Sequence, residues 1–182
     1  MYYMRPSVLA DREDLTNILR ARSAWMRDKG LSGWEGWGER AESIAGQAGD
    51  PISPTWTMLN QDRKIVGSTS LFEESPAWCW SEEERAEPAF FLATTYTDPA
   101  YAGQKIGSLI AWWALDYAAR NGKIWVRRGT GPYPKLVRYY EDVQGWAVVR
   151  TVERQGVTAY ALARRAEPQP HLATQITEIT PA

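Results

Sequence analysis

The residues Tyr101-Ala102-Gly103-Gln104-Lys105-Ile106-Gly107-Ser108-Leu109 have the composition of an anion-binding turn. They follow a strand-like run, Phe90 to Thr97, and open an apolar segment, Ile106 to Arg120, whose pattern predicts a helix. The first N–H groups of a helix have no partner inside it and lie at the positive end of its dipole. A glycine-containing turn at that place is therefore suited to a phosphate-bearing ligand. The turn lacks the G-K-[ST] ending of a nucleoside triphosphate loop, and its glycines do not spell a dinucleotide fingerprint. The plainer alternative is a strand-to-helix turn whose glycines only relieve backbone crowding. Other reactive residues are few. Cys79 is the only cysteine and stands between Trp78 and Trp80, with no histidine nearby, so it reads as a small apolar residue rather than a nucleophile. His171 is the only histidine and falls near the C-terminus, where a catalytic part is not expected. No metal site is expected.

The composition narrows the partners. The chain has 182 residues, 44% hydrophobic and 24% charged, with a formal net charge of −1. That length suits one domain with a sizeable core, and the balance is that of a globular protein. Near-neutral charge argues against nucleic acid, which calls for a basic face. The basic cluster Arg127-Arg128, with Lys123 nearby, fits a small anion better than a polymer. A lone cysteine allows no intrachain disulfide. Met1 to Pro6 has no long apolar core, so no signal peptide is expected, and no apolar run approaches the length of a membrane span. The expectation is a cytoplasmic protein, monomeric or homodimeric, without membrane or nucleic-acid partners.

The elements that must position the turn follow from periodicity. Tyr2 to Val8 predicts a strand. A helix opens near Asp11, its expected N-cap with Asp14 three positions on, and runs to Lys29-Gly30 with Leu15, Ile18, Leu19, Trp25 and Met26 on one face. Leu31 to Gly38 has three glycines around two tryptophans and reads as irregular, before a shorter helix over Glu39 to Gln47. Thr55 to Leu59 and Lys64 to Phe72 form a hairpin, and Glu73 to Glu87 reads as a loop. After the helix from Ile106, Lys123 to Arg127 is a strand, about Pro134 to Val143 a helix, and 146–153 with 157–164 a second hairpin. The fold class is mixed α/β (α+β), a mostly antiparallel twisted sheet with helices on both faces. Residues 1–165 form a single domain in this reading, and 166–182, rich in Pro, Thr and Gln, a loosely attached tail.

This pattern resembles the Gcn5-related N-acetyltransferase (GNAT) superfamily, which uses acyl-coenzyme A. The element order matches, and Thr97 to Leu109 is similar to the family's pyrophosphate loop with its "V-x-P-x-Y" lead. Leu136-Val137-Arg138-Tyr139-Tyr140-Glu141, followed by Gly145-Trp146, is similar to the family's "A-x-x-F-Y-E-x-x-G-F" segment. Lys29-Gly30-Leu31-Ser32-Gly33-Trp34 is similar to "K-G-x-x-x-W". The departures are Ala102 where Arg or Gln is usual, Lys105 where glycine is usual, Tyr133 in place of an asparagine, and one extra residue between Tyr140 and Gly145.

The resemblance implies transfer of an acetyl group from acetyl-coenzyme A to a primary amine, more readily that of a small molecule than of a protein. The alternative is a noncatalytic coenzyme A-binding or interaction protein on the same scaffold. Diphosphate binding falls to the backbone of Ala102, Gly103, Gln104, Lys105, Ile106, Gly107 and Ser108. The pantetheine arm falls to the backbone of Thr95, Tyr96 and Thr97. Tyr140 is the expected general acid, a phenol that stays protonated at neutral pH, with Tyr139 as the alternative. The usual strand glutamate aligns with Phe91. The base then falls to Glu87 through a water, with Glu35 or Glu39 as alternatives. Trp34, Glu35, Trp37, Trp78 and Trp80 are expected to line the acceptor side, where an aromatic face could hold a cation.

Overall fold

A computed structural model describes residues 1–181. The strands are β1 (Tyr2–Pro6), β2 (Thr55–Leu59), β3 (Ile65–Phe72), β4 (Ala89–Thr97), β5 (Trp125–Thr130), β6 (Ala147–Arg154), β7 (Val157–Arg165) and β8 (Ile176–Glu178). The helices are α1 (Arg12–Asp28), α2 (Trp34–Glu39), α3 (Ala41–Ala45), α4 (Glu82–Ala86), α5 (Ile106–Arg120) and α6 (Pro134–Asp142). As the sequence predicts, this is a mixed α/β fold whose sheet is mostly antiparallel and flanked by helices. Contacts gather into two compact units. One comprises Met1–Ser70, Thr94–Ile110 and the chain from His171; the other comprises Leu71–Ala93 and Ala111–Pro170.

In the first unit β1 lies between β2, antiparallel with Tyr3 opposite Leu59, and β8, parallel with Tyr2 opposite Ile176. β2 and β3 form the expected hairpin. The last residues of β4 lie against β3, with Thr95 and Thr69 hydroxyls 2.8 Å apart and the Asp98 N–H donating to Val66 O at 2.9 Å. Gly67 permits that approach, because a Cβ there would meet Tyr96 O at 3.1 Å and Ile110 Cδ1 at 3.0 Å. Leu15, Ile18 and Leu19 of α1 are buried with Ala41, Ala45, Leu59, Ile65 and Tyr96. Asp11 does not cap α1 through its side chain. Its carboxylate instead accepts two hydrogen bonds from Arg5, each 2.7 Å, and one from the Val8 N–H at 2.8 Å.

In the second unit β5 runs parallel to β4, from Ala89 opposite Trp125 to Leu92 opposite Arg128. It is antiparallel to β7, and β6 completes the hairpin. Successive strand residues face opposite sides, which gives this unit two cores. On one side Cys79 and Trp80 pack with Ala161 and Ala163, partly covered by Trp78, Trp125 and Val152. On the other, Phe90 stacks on Tyr117 of α5 at 5.8 Å between ring centroids.

Several expectations are corrected. The segment expected as a loose tail, 166–182, is held by specific contacts in its described part. The Gln169 N–H donates to Asp116 Oδ1 at 2.9 Å; further on, Leu172 and Ile176 are buried and β8 pairs with β1. A three-residue strand carries no period, so its signal in the sequence is below detection. The stretch from Leu31 to Gly38 holds the start of α2, entered through Gly33 at φ 81°. The helix expected over Glu39 to Gln47 is interrupted at Arg40 and shortened to α3. The loop from Glu73 to Glu87 contains α4, which a capping box opens: the Ser81 hydroxyl accepts from the Glu84 N–H at 3.2 Å, and Glu84 Oε2 accepts from the Ser81 N–H at 2.7 Å. Among the described residues no helix is long and apolar enough to cross a membrane.

Two tests follow from this packing. Leu172→Ala removes buried methyl groups and should lower unfolding stability by about 2–3 kcal/mol in urea titration. A loosely attached segment would give a change under about 0.5 kcal/mol. The Cys79 thiol is pushed up by burial, from 9.0 to about 11. The folded state then holds a proton that the unfolded chain has lost. This stabilising contribution is complete below pH 9 and disappears as pH rises toward 11. Urea midpoints measured across that window should fall, and should fall less steeply in Cys79→Ala.

Candidate active site

The turn before α5 is built by local hydrogen bonds in the first unit. Asp98 Oδ1 accepts from the Ala100 N–H at 2.9 Å and opens a short 3-10 turn over Pro99–Tyr101. The N–H groups of Ala102 and Gln104 donate to Pro99 O and Tyr101 O at 3.0 and 3.2 Å. Two outside side chains steady the turn. The Tyr2 hydroxyl donates to Gln104 Oε1 at 2.8 Å, and Asn60 Nδ2 donates to the Tyr101 hydroxyl at 3.3 Å. Gly103 sits at φ 86° and Lys105 at φ 57°, both left-handed. The family pattern that the sequence resembles has glycine at the position of Lys105, and the backbone angle suits that residue. A side chain in that conformation costs roughly 1–2 kcal/mol, and Lys105 bears it with its side chain exposed rather than folded over the turn.

Lys105 O accepts from both the Ser108 and Leu109 N–H groups, at 2.9 and 3.0 Å. Three N–H groups at the head of α5, those of Lys105, Ile106 and Gly107, have no acceptor among the described residues. The donor set expected from the sequence is therefore narrower, since Gln104 and Ser108 spend their N–H groups internally and Ser108 is buried. A Cβ built on Gly107 meets no atom within 4 Å, so the space beside these donors is open. An anion fits there: three aligned N–H groups, a helix dipole and one lysine all favour negative charge.

β4 leads into this turn through Thr94 at φ 50°, an outlying angle for a β-branched residue. Beyond it Thr95 and Thr97 are half-buried, while Tyr96 is buried edge-on to Trp37, with ring centroids 6.1 Å apart. Burial pushes the Tyr96 phenol up to about 12, with Asp11 adding to the rise and a hydrogen bond to Ser68 opposing it. The Tyr96 side chain is therefore a core residue, and only its backbone is available to a ligand.

In the second unit, strand alternation sends Arg127 and Arg128 to opposite faces of β5. Arg127 is 2% exposed and bonds Glu87 Oε2, Glu84 O at 2.6 Å and Ser75 Oγ at 3.2 Å, with Trp80 beneath it at 4.8 Å. Burial pulls its guanidinium down from its ordinary value, and Glu87 and Glu84 oppose that. Glu87 is thus the counter-ion of a buried arginine. The carboxylate expected to anchor the base is therefore engaged by Arg127, on the face opposite Arg128 and Tyr140.

On that second face Arg128 Nη2 donates to the Tyr140 hydroxyl at 2.8 Å. The extra residue before Gly145 is taken up after α6 ends, where Gly145 at φ 69° closes the helix. The Gly145 N–H then donates to Glu141 O and the Trp146 N–H to Tyr140 O, at 3.2 and 3.0 Å. Tyr140 faces inward, half-buried, and Tyr139 is 36% exposed.

The proposed acceptor residues separate on inspection. Trp80 is core, 3% exposed, and its place in a polar, glutamate-rich segment of the sequence hid this. Trp78 packs 3.2 Å from the Cβ position of Gly129, with the Arg154 guanidinium 4.6 Å from its ring centroid. Trp37 packs on the first unit's core. Trp34 is half-buried, its carbonyl accepting from the Ser23 hydroxyl at 2.7 Å, while Glu35 and Glu39 are exposed. Among the described residues no group of three or more His, Cys, Asp or Glu side chains could hold a metal ion.

Comparison with known proteins gives a consistent answer. Residues 17–146 match the family model described as acetyltransferase (GNAT) family. An uncharacterized N-acetyltransferase, YesJ, of Bacillus subtilis (strain 168) is 23% identical over 116 residues, which is 62% of this chain and 63% of that protein. A GNAT-family acetyltransferase structure from Listeria monocytogenes 4b F2365 aligns with a TM-score of 0.69 at 12% identity, covering 90% of this chain and 94% of that one. The PaiA N-acetyltransferase of Thermoplasma acidophilum, solved in complex with coenzyme A, aligns at 0.64 with 16% identity, covering 91% and 99%. The structural matches establish the fold and the family model covers most of the length, so the chain belongs to the GNAT acetyltransferase family.

Proposed function

We propose that this protein transfers the acetyl group of acetyl-coenzyme A to the primary amine of a small molecule by direct attack on the thioester. The observation that carries the reading is the head of α5, where three unpartnered N–H groups stand beside open space in a left-handed turn. The family match and a fold relative solved with coenzyme A support it. The N–H groups of Lys105, Ile106 and Gly107 would hold the diphosphate, Lys105 would add charge, and the backbone of Thr95 to Thr97 would meet the pantetheine arm. Bound there, acetyl-coenzyme A supplies the activated acyl group. Tyr140 is the proposed general acid for the departing sulfur. No strand carboxylate takes the base role, so solvent water does, with Glu35 as the side chain that attracts a cationic amine.

A second reading keeps the cofactor without turnover. The engagement of Glu87 by Arg127 favours it, because the first-choice base is spent on structure. Titration of acetyl-coenzyme A by calorimetry, then thiol release over spermidine, kanamycin, lysine and simple alkylamines, separates the two. Saturable binding with turnover of an amine supports the transferase. Binding with no thiol release across the panel supports the noncatalytic reading, and no binding removes both.

Two substitutions sharpen the test. Gly107→Val should weaken acetyl-coenzyme A binding at least about tenfold with little change in melting temperature, because a Cβ there enters open space beside the free N–H groups. Unchanged affinity in the folded variant would remove the cofactor from this turn. Tyr140→Phe should lower kcat about ten- to a thousand-fold with acetyl-coenzyme A affinity retained, and Tyr139→Phe should lower it less. The reverse order would move the acid to Tyr139.

A further inference from the structure

Arg128 is a buried cation that lacks a buried anion. It is 7% exposed, and burial pulls its guanidinium below the ordinary value, with only Tyr140 opposing the shift. Its contacts are the Tyr140 hydroxyl, the Tyr140 ring at 3.9 Å from the guanidinium carbon and the Trp146 ring at 5.3 Å. Its Nε, like that of Arg127, is buried with no acceptor. No carboxylate pairs with it among the described residues, whereas its neighbour Arg127 has Glu87, a carbonyl and a hydroxyl. Burying an uncompensated charge costs several kcal/mol, so a position tolerating that cost in packing terms alone would suit methionine or leucine better.

We infer that Arg128 is a positioning residue that fixes the direction of the Tyr140 proton, an inference that rests on Tyr140 being the general acid. A guanidinium has five N–H donors and no acceptor, while a phenol has one donor and oxygen lone pairs. With Nη2 donating into the Tyr140 oxygen, the phenolic proton cannot point at Arg128. No other protein acceptor takes that proton among the described residues. It is held free for a ligand atom. In the transfer, the amine lone pair forms the new C–N bond and the C–S bond breaks with its electron pair going to sulfur. The Tyr140 proton passes to that sulfur, and the proton lost from the amine nitrogen restores the phenol. Between those proton movements the Tyr140 oxygen carries negative charge, and the cation that stabilises it is already in hydrogen-bond contact, buried and unscreened.

A double-mutant cycle with acetyl-coenzyme A and the most active amine of the panel tests this. Arg128→Met should lower kcat about tenfold or more with KM for acetyl-coenzyme A within about twofold, and Arg128→Lys should recover part of the loss. In the Tyr140→Phe background Arg128→Met should cost little further, because its effect passes through the missing hydroxyl. An equal loss in both backgrounds overturns the inference, as does a raised KM with unchanged kcat. A Tyr140→Phe enzyme with wild-type kcat removes the general acid itself. Tyr140→Phe impaired while Arg128→Met is not removes only Arg128. A readout without turnover stands beside the kinetics and needs no Arg128 variant to fold. In 15N-arginine-labelled protein, the Nη protons assigned to Arg128, apart from those of the equally buried Arg127, should exchange slowly and lose that protection in Tyr140→Phe. Absence of that protection in the wild type, or its persistence in Tyr140→Phe, overturns the positioning contact.

Discussion

Two consecutive arginines in a buried strand are the constraint around which the second unit is arranged. Alternation along β5 forces Arg127 and Arg128 to opposite faces, and neither charge can be left bare without cost. One face answers with a full ionic network: Glu87 pairs with Arg127, and Glu84 contributes its carbonyl to Arg127 and both carboxylate oxygens to Arg150, at 2.9 and 2.6 Å. The capped helix α4 exists to deliver those groups, and Ser81 fixes its start. The other face answers with aromatic rings and a single phenol oxygen. The same strand thus separates a structural charge cluster from a chemically available one.

A comparable division governs the turn before α5. The turn between Thr97 and α5 spends most of its hydrogen bonds on its own shape, and the head of α5 keeps the N–H groups of Lys105, Ile106 and Gly107 unspent. Its cost is concentrated at Lys105, whose φ of 57° suits glycine. Strain of that kind persists only where neighbours over-determine the conformation. Here Tyr2 on β1, Asn60 in the β2–β3 hairpin and the Asp98 cap supply the restraint. β8 pairs with β1 beside them, which makes the C-terminal segment part of the support on which Tyr2 is mounted.

The legible parts of the chain were those with a repeating period or a named turn chemistry. α1 and α5 announce themselves through apolar spacing, and the two hairpins through alternation about short polar turns. The turn before α5 was visible because glycines beside a helix start are physically restrictive. What stayed hidden depends on distant partners. Glu87 in the sequence is one of several acids, and only the fold reveals a buried arginine claiming it. Trp80 lies in a polar, glutamate-rich stretch and is nevertheless core. The capping box at Ser81 was readable, but a five-residue helix offers too short a pattern to outweigh its polar surroundings. β8 is three residues of no particular composition, placed by the edge of β1 rather than by its own propensity.

The abundance of tryptophan also takes a different meaning. Ten tryptophans suggested aromatic surfaces awaiting a cationic acceptor. Many instead carry the protein's own arginines: Arg22 over Trp25, Arg27 over Trp34, Arg127 and Arg150 over Trp80, Arg154 over Trp78, Arg165 over Trp125 and Arg128 over Trp146. Each such contact is worth about 0.5–2 kcal/mol, more when desolvated. An incoming ammonium at Trp78 would have to displace Arg154 and would gain only the difference between two similar attractions. For the proposed amine acceptor, tryptophan stacking would therefore be a weak source of affinity, and charge would have to supply more of it. Glu35 is exposed on α2 with no counter-ion recorded among the described residues, so its carboxylate carries no such competition. In the proposed reaction, selection of the amine would then rest on electrostatic attraction to α2, with the neighbouring Trp34 shaping the approach rather than providing the binding energy.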